Sequence, residues 1–187
     1  RALDLGTGSG VMPALLACEG LTVVGIDNHR DWCLAWQQTL SKSETKGTFS
    51  LVQSDVRTFT CLEKFDLVVA NPPFFPVGRG PVSPNPWKAA ARSEVSATLA
   101  DFVSTGLSCL LETGKMLVVI PRERAEEVVR AAKPMGGRHG STVYVGKKRA
   151  IVVLDWQSKS PSIASVPDDG DVVKGWYSRV GCLAQLR

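Results

Sequence analysis

The stretch Arg1-Ala2-Leu3-Asp4-Leu5-Gly6-Thr7-Gly8-Ser9-Gly10 decides how the rest of the chain is read. Ala2 to Leu5 reads as the end of a buried strand, and it runs directly into three glycines spaced G-x-G-x-G. Glycine lets a backbone turn sharply and lets a ligand lie against it with no Cβ in the way. Val11, Leu15, Leu16 and Cys18 follow at helical spacing, with Pro13 tolerated in the first turn. Strand, glycine turn and helix together open an α/β unit. A dinucleotide site would show G-x-G-x-x-G, and a pyrophosphate would be repelled by Asp4 just before the turn. A ligand carrying an ammonium group would be attracted by it. The turn therefore reads either as a ligand cradle or as a plain strand-to-helix connection. A chain that opens inside its first core strand, without an initiator Met, is expected to lack an upstream segment.

Working outward, strand and helix patterns alternate. Leu21-Thr22-Val23-Val24-Gly25-Ile26 is rich in β-branched residues and ends at Asp27. Asp31 reads as the N-cap of a helix to about Leu40, whose Trp32, Trp36 and Leu40 share one face and read as core. Thr48 to Gln53 is a third strand, stopping before Ser54-Asp55, and Phe65 to Ala70 is a fourth, apolar enough to be covered on both faces. A Pro- and Gly-rich stretch runs from Asn71 to about Trp87. A long helix is expected from near Ser96 to Glu112, stopped by Gly114, followed by a strand from Lys115 to Ile120. Pro121 opens a helix to about Lys133, ended by Gly136-Gly137. Ser141 to Gly146 and Ala150 to Trp156 read as an antiparallel hairpin with Lys147-Lys148-Arg149 at its tip. Ser158 to Gly170 reads as a loop, and Tyr177 to Leu186 as a closing amphipathic helix. The result is one α/β domain over residues 1–187, a doubly wound and mostly parallel sheet with an antiparallel hairpin towards one edge.

Composition narrows the function classes. The chain has 187 residues, 44% of them hydrophobic and 21% charged, which fits a single core-forming domain rather than a disordered chain. No apolar run reaches the roughly 18 residues of a membrane span, and the first residues carry no apolar stretch long enough to be expected to act as a signal peptide. Five cysteines (Cys18, Cys33, Cys61, Cys109, Cys182) are scattered, with no C-x-x-C pair, and the histidines are His29 and His139 alone. That pattern reads as reduced thiols packed as small apolar side chains, with no metal site, in a cytoplasmic protein. The net charge of +4 permits a polyanionic partner without requiring one.

In a doubly wound sheet, ligands bind beyond the carboxyl ends of the strands, and the chemically suggestive residues fall there. Asp27 ends the second strand, where a carboxylate accepts two hydrogen bonds from a ribose diol, or serves as a turn acid. Asp55 ends the third, beside Val56; a side-chain acceptor next to a backbone N–H suits the amine and ring nitrogen of an adenine, though a turn role also fits. Asn71-Pro72-Pro73-Phe74 ends the fourth. An amine on a conjugated ring is a poor nucleophile because its lone pair is delocalised. The Asn71 carboxamide oxygen and the Pro72 carbonyl can accept hydrogen bonds from such an NH2 and hold its lone pair towards an incoming methyl group. The two prolines stiffen the elbow, and Phe74 can stack on a flat base.

Asp4 to Gly10, Asp27, Asp55 and the Asn71-Pro72-Pro73-Phe74 tetrad, in this order, resemble the signature of class I S-adenosyl-L-methionine-dependent methyltransferases. The resemblance implies a Rossmann-like, seven-stranded methyltransferase sheet. It also implies that Asp4, Gly6, Gly8, Gly10, Asp27, Asp55, Val56 and Asn71 bind the cofactor, with S-adenosyl-L-homocysteine as product. Asn71, Pro72, Pro73 and Phe74 would be the catalytic elbow for a planar nitrogen, with no metal needed. Ala91-Arg92-Ser93-Glu94 resembles the A-R-x-E element of bacterial enzymes that methylate N6 of an adenine in tRNA1(Val). RNA, and tRNA in particular, is the implied partner.

Phe74, Arg79, Trp87 and Arg92 are the candidate substrate contacts around the elbow. Arg122, Arg124 and Lys147-Lys148-Arg149 are further cations suited to phosphates or to an ordinary solvated surface. The tetrad also serves protein-glutamine N5-methylation and rRNA guanine-N2 methylation. A degenerate cofactor-binding scaffold is the non-enzyme alternative, and a nicotinamide dehydrogenase would leave the tetrad unexplained.

Overall fold

The computed structural model describes residues 1–32, 45–73, 97–156 and 162–166. Eight strands form one sheet in the order β3-β2-β1-β4-β5-β7-β6-β8. The first four are β1 (Ala2–Leu5), β2 (Thr22–Asp27), β3 (Thr48–Gln53) and β4 (Phe65–Ala70). They are followed by β5 (Leu110–Pro121), β6 (Arg138–Val145), β7 (Arg149–Asp155) and β8 (Ser162–Val166). The α-helices that lie wholly within the described residues are α1 (Val11–Cys18), α2 (Leu99–Ser108) and α3 (Ala125–Ala132). Only β7 runs against the rest, pairing with β5 on one side and β6 on the other. No helix among the described residues is long and apolar enough to cross a membrane.

β1 sits in the centre because it has no need of solvent on either face. All four of its residues are buried, and it pairs in parallel with β2 and β4 at once, Leu5 lying between Ile26 and Ala70. Alternation splits its side chains between two faces. Leu3 and Leu5 join the main core, where α2 and α3 contribute Phe102, Val103, Leu107 and Val128. Ala2 joins a smaller cluster with Ala17 of α1 and Val23. Asp4 shares that second face, an acid inside an otherwise apolar strand.

α2 is set by a capping box. The Thr98 hydroxyl accepts from the Asp101 backbone N–H, and the Asp101 carboxylate accepts from the Thr98 N–H at 2.8 Å. The carboxylate also lies at the positive end of the helix.

Three expectations are corrected. The helix expected to reach Glu112 ends at Ser108, and Leu110 already pairs with Phe65 of β4. Pairing with β4 outcompetes helix propensity, since it buries Leu110 and satisfies Phe65 N–H with the Cys109 carbonyl at 2.9 Å. The register between β4 and β5 then jumps from Leu110 to Lys115. Gly114 sits in that bulge, where a Cβ would meet the Asp66 carbonyl oxygen at 2.9 Å and the Phe65 carbonyl oxygen at 3.0 Å. Second, part of the loop expected over Ser158 to Gly170 is β8, an eighth strand beyond the seven expected. It pairs in parallel with β6 from Ser141↔Ser162 to Val145↔Val166 and covers what would be an open edge. Third, the helix after β2 begins at Arg30, so Asp31 lies in its first turn rather than at its cap. The expected Tyr177 helix lies outside the described residues, as do Cys33 and Cys182. Cys109 is buried among apolar neighbours, and that burial pushes its thiol up to about 12.

Candidate active site at the carboxyl edge of the sheet

The turn after β1 is built by its glycines. Gly6, Gly8 and Gly10 have φ of 72°, 52° and 70°, a region that side-chain-bearing residues rarely enter. Gly6 and Thr7 both donate their backbone N–H to the Ile26 carbonyl, at 2.9 and 3.0 Å, which ties the turn to β2. A Cβ on Gly6 would lie 3.0 Å from the Phe102 ring, so the glycine also admits that ring beneath the turn. Gly10 then caps α1 in the left-handed conformation.

Asp27, at the end of β2, grips the same turn. Its Oδ2 accepts from Gly8 N–H at 2.7 Å and its Oδ1 from His29 N–H at 2.8 Å.

These elements enclose a cleft of about 240 Å³. Gly6, Gly8, Asp27, Asp55, Val56, Asn71 and Pro73, all singled out in the sequence, line it. The glycine turn and the asparagine elbow thus share one rim. The reason is the register: Leu5 is paired with Ala70, so Gly6 and Asn71 leave neighbouring strands side by side. Asn71 is exposed and Pro72 is buried behind it. Asp4, Gly10 and Pro72 are not among the lining residues. Phe74, Arg79, Trp87 and Arg92 lie outside the described residues.

Asp4 lies below the turn, 2% exposed, with its Oδ2 lacking a hydrogen-bond partner among the described residues. Burial pushes its carboxyl from the ordinary 3.8 up to about 7; the Thr7 hydroxyl opposes that rise and the charge of Asp27 adds to it. An orphaned, buried acceptor under a glycine cradle fits a cationic ligand group that would complete its pairing.

Asp55 is engaged in a way that the sequence reading missed. Arg57 donates its backbone N–H to Oδ1 at 2.9 Å and its Nη2 to Oδ2 at 2.6 Å, with Nε between the two oxygens. The guanidinium holds the Asp55 carboxyl below the usual carboxylate range. An adenine amine reaching Asp55 would share that carboxylate with Arg57. Val56 is fixed from behind, its carbonyl accepting from the buried Thr105 hydroxyl at 2.7 Å.

Other residues of the cleft had no signal in the sequence. Trp32, read as core, lines it, together with Asn28, His29 and Phe102; Trp36 and Leu40 lie outside the described residues. Gly25 had a signal, since an isolated glycine inside a strand often marks a close approach. A Cβ there would meet the Thr7 Oγ1 at 2.5 Å and the Leu51 Cδ2 at 2.9 Å. Gly25→Ala is expected to displace Thr7 and cost about 1–3 kcal/mol of stability, read as a lower urea midpoint at unchanged slope.

The comparisons with known proteins agree with this architecture. A tRNA1(Val) (adenine(37)-N6)-methyltransferase of Pasteurella multocida is 30% identical over 135 residues, covering 70% of this chain and 56% of that protein. The chain thus spans little more than half the length of that relative. A crystal structure described as a predicted O-methyltransferase from Agrobacterium tumefaciens superposes with a TM-score of 0.65 at 15% identity, over 89% of this chain and 78% of the other. The glycopeptide N-methyltransferase MtfA, solved with S-adenosyl-L-homocysteine, gives 0.62 at 14% identity, over 84% and 81%. At such identities the two structures speak for the fold alone. The family model described as "Methyltransferase small domain" matches residues 1–154, from the first strand through nearly all of β7, and by that match the chain belongs to the methyltransferase small domain family.

Proposed function

We propose that the chain is an N-methyltransferase that carries the methyl group of S-adenosyl-L-methionine to the exocyclic N6 amine of an adenine in tRNA, leaving S-adenosyl-L-homocysteine. The observation that carries this reading is the single cleft in which the glycine turn, Asp27, Asp55, Val56 and the Asn71 elbow meet. The names of the relatives favour an adenine in tRNA over the other acceptors that the tetrad can serve. Such a substrate implies work in the cytoplasm.

When bound, the cofactor supplies a methyl group on a positively charged sulfur, electrophilic enough that the protein's task is alignment. Asp4 and the glycine turn would hold its cationic amino-acid end, Asp27 its ribose hydroxyls, and Asp55 with Val56 its adenine. Asn71 works on the acceptor. Its carboxamide oxygen and the Pro72 carbonyl take the hydrogens of the target amine and leave the nitrogen lone pair aimed into the cleft. Pro72 and Pro73 restrict the elbow, so little entropy is lost in presenting these two acceptors. The methylated nitrogen is a strong acid until it sheds its proton, so no side chain is assigned as general base, and the chemistry asks for no metal.

The test is transfer of radiolabelled methyl groups from the cofactor into separate tRNA, rRNA and protein pools, each digested to nucleosides or amino acids. Label in N6-methyladenosine from tRNA is expected. Label in N5-methylglutamine or N2-methylguanosine, or none in any pool, overturns the reading.

A further inference from the structure

Pairing at the far side of the sheet gathers cations that are distant in sequence. Pro121 at the end of β5 pairs with Arg149 at the start of β7, and Arg149 pairs with Val145 at the end of β6. The tip of the β6–β7 hairpin therefore stands on the same carboxyl edge as Asn71, beside the residues that follow β5. Arg122 is locked into this corner. Its backbone N–H donates to the Lys148 carbonyl at 3.1 Å, and its guanidinium lies 4.1 Å above the Tyr144 ring. Arg122, Lys147, Lys148 and Arg149 are all exposed.

The neighbouring acids of α3 are engaged on their own helix. Glu127 is paired with Arg124 at 2.8 Å, and Glu126 faces Arg130 at 4.0 Å. Glu123 is the exposed acid left beside the cluster. Lys147 and Lys148 make no ion pair among the described residues. Two lysines side by side on a tight turn, neither in an ion pair among the described residues, repel one another, so folding alone gives no reason for them. Three strand spacings separate β4 from β6, and β5 runs three residues beyond the Ala70↔Val118 pair. At about 4.8 Å per strand and 3.3 Å per residue, the tip stands roughly 15–20 Å from Asn71. That is a few nucleotides' reach.

We propose that Arg122, Lys147 and Lys148, with Arg149 beside them, form a phosphate-gripping rim for the RNA backbone flanking the base held at Asn71. The proposal rests on the reading of the cleft as an RNA methyltransferase site, and adds where the nucleic acid lies: across the β5 and β6–β7 ends. Such contacts orient without reading sequence.

The test is Lys147→Ala/Lys148→Ala in the full chain, with tRNA affinity measured between 50 and 200 mM salt. Each phosphate contact contributes about 0.7–0.9 to the slope of log K against log salt, so the double variant should lose about 1.4–1.8 of it. Cofactor affinity and melting temperature are expected to stay as in the wild type, and Lys→Arg replacements should restore the slope. As a check free of any variant, tRNA should shield Lys147 and Lys148 from lysine acylation, while Lys46, just before β3 at the opposite edge, reacts as before. An unchanged slope, or equal acylation, in a protein that still methylates tRNA overturns the rim and leaves the methyltransferase reading standing. A wild-type chain that neither binds nor methylates any RNA overturns both.

Discussion

Asn71→Ala is expected to lower kcat by about two to three orders of magnitude while cofactor affinity stays within a few-fold. The carboxamide oxygen is one of two acceptors proposed for the target amine. Removing a preorganised polar partner of a reacting group typically costs that much in rate. Without it the amine hydrogens lose one fixed acceptor, and the nitrogen lone pair is free to turn back into conjugation with the ring. The side chain is exposed at the rim and projects from the end of β4, away from the strand pairings that hold the sheet. Its loss should therefore leave the melting temperature close to that of the wild type. Single-turnover transfer with saturating cofactor, beside calorimetric cofactor titration, separates the two quantities. Asn71→Asp keeps an acceptor and should retain more rate than alanine. A variant with normal kcat, or one that fails only through cofactor binding, would refute the assignment.

The second large effect is on stability, and its sign follows from Asp4. In the folded chain the carboxyl keeps its proton up to about pH 7, whereas the unfolded chain releases it near 3.8. Between those values the folded state binds more protons than the unfolded state, so stability falls as pH rises from about 4 to about 7 and then levels off. A difference of roughly three units corresponds to about 4 kcal/mol at most. Asp4→Asn keeps the shape and removes the charge. Its melting temperature should therefore vary less across that window, and at pH 8 it should exceed the wild-type value. Cofactor affinity should move the opposite way, because an amide cannot answer an ammonium group as a carboxylate does. A buried acid that destabilises the empty fold and is completed by a ligand is a common form of functional strain. Parallel pH-dependent melts of the two proteins settle the matter: identical profiles would mean that Asp4 is already ionised or already paired.

Where the reading of the sequence succeeded, the signal was local. β3 and β4 fall on the expected residues, Thr48–Gln53 and Phe65–Ala70, because β-branched or apolar runs bounded by polar turns leave little choice. The glycine turn was legible for the same reason, since three glycines between a strand and a helix demand positive φ. Asp27 and Asn71 could be placed at strand ends without knowing any partner. The elements that slipped were those whose fate depends on a neighbour. Leu110 to Gly114 had helix-forming neighbours behind it, and β4 claimed the start of that segment. Ser162–Val166 is short and lies inside a polar, proline-containing stretch, so it passes for loop until β6 offers it an edge.

The candidate site divides along the same line. Order and spacing along the chain were enough to name a doubly wound sheet and to put an acid or an amide at the end of each early strand. They could not say that Trp32 would leave the core for the cleft, or that Phe102 would come to lie beneath Gly6 from nearly a hundred residues away. Nor could they show that Arg57 would occupy Asp55, or that Arg122 and the hairpin lysines would meet on one rim. Backbone preference and apolar periodicity are properties of neighbours in the chain, so they are written locally. Which side chains share a cleft depends on strand order and register, and those emerge only when the whole sheet closes around its buried centre.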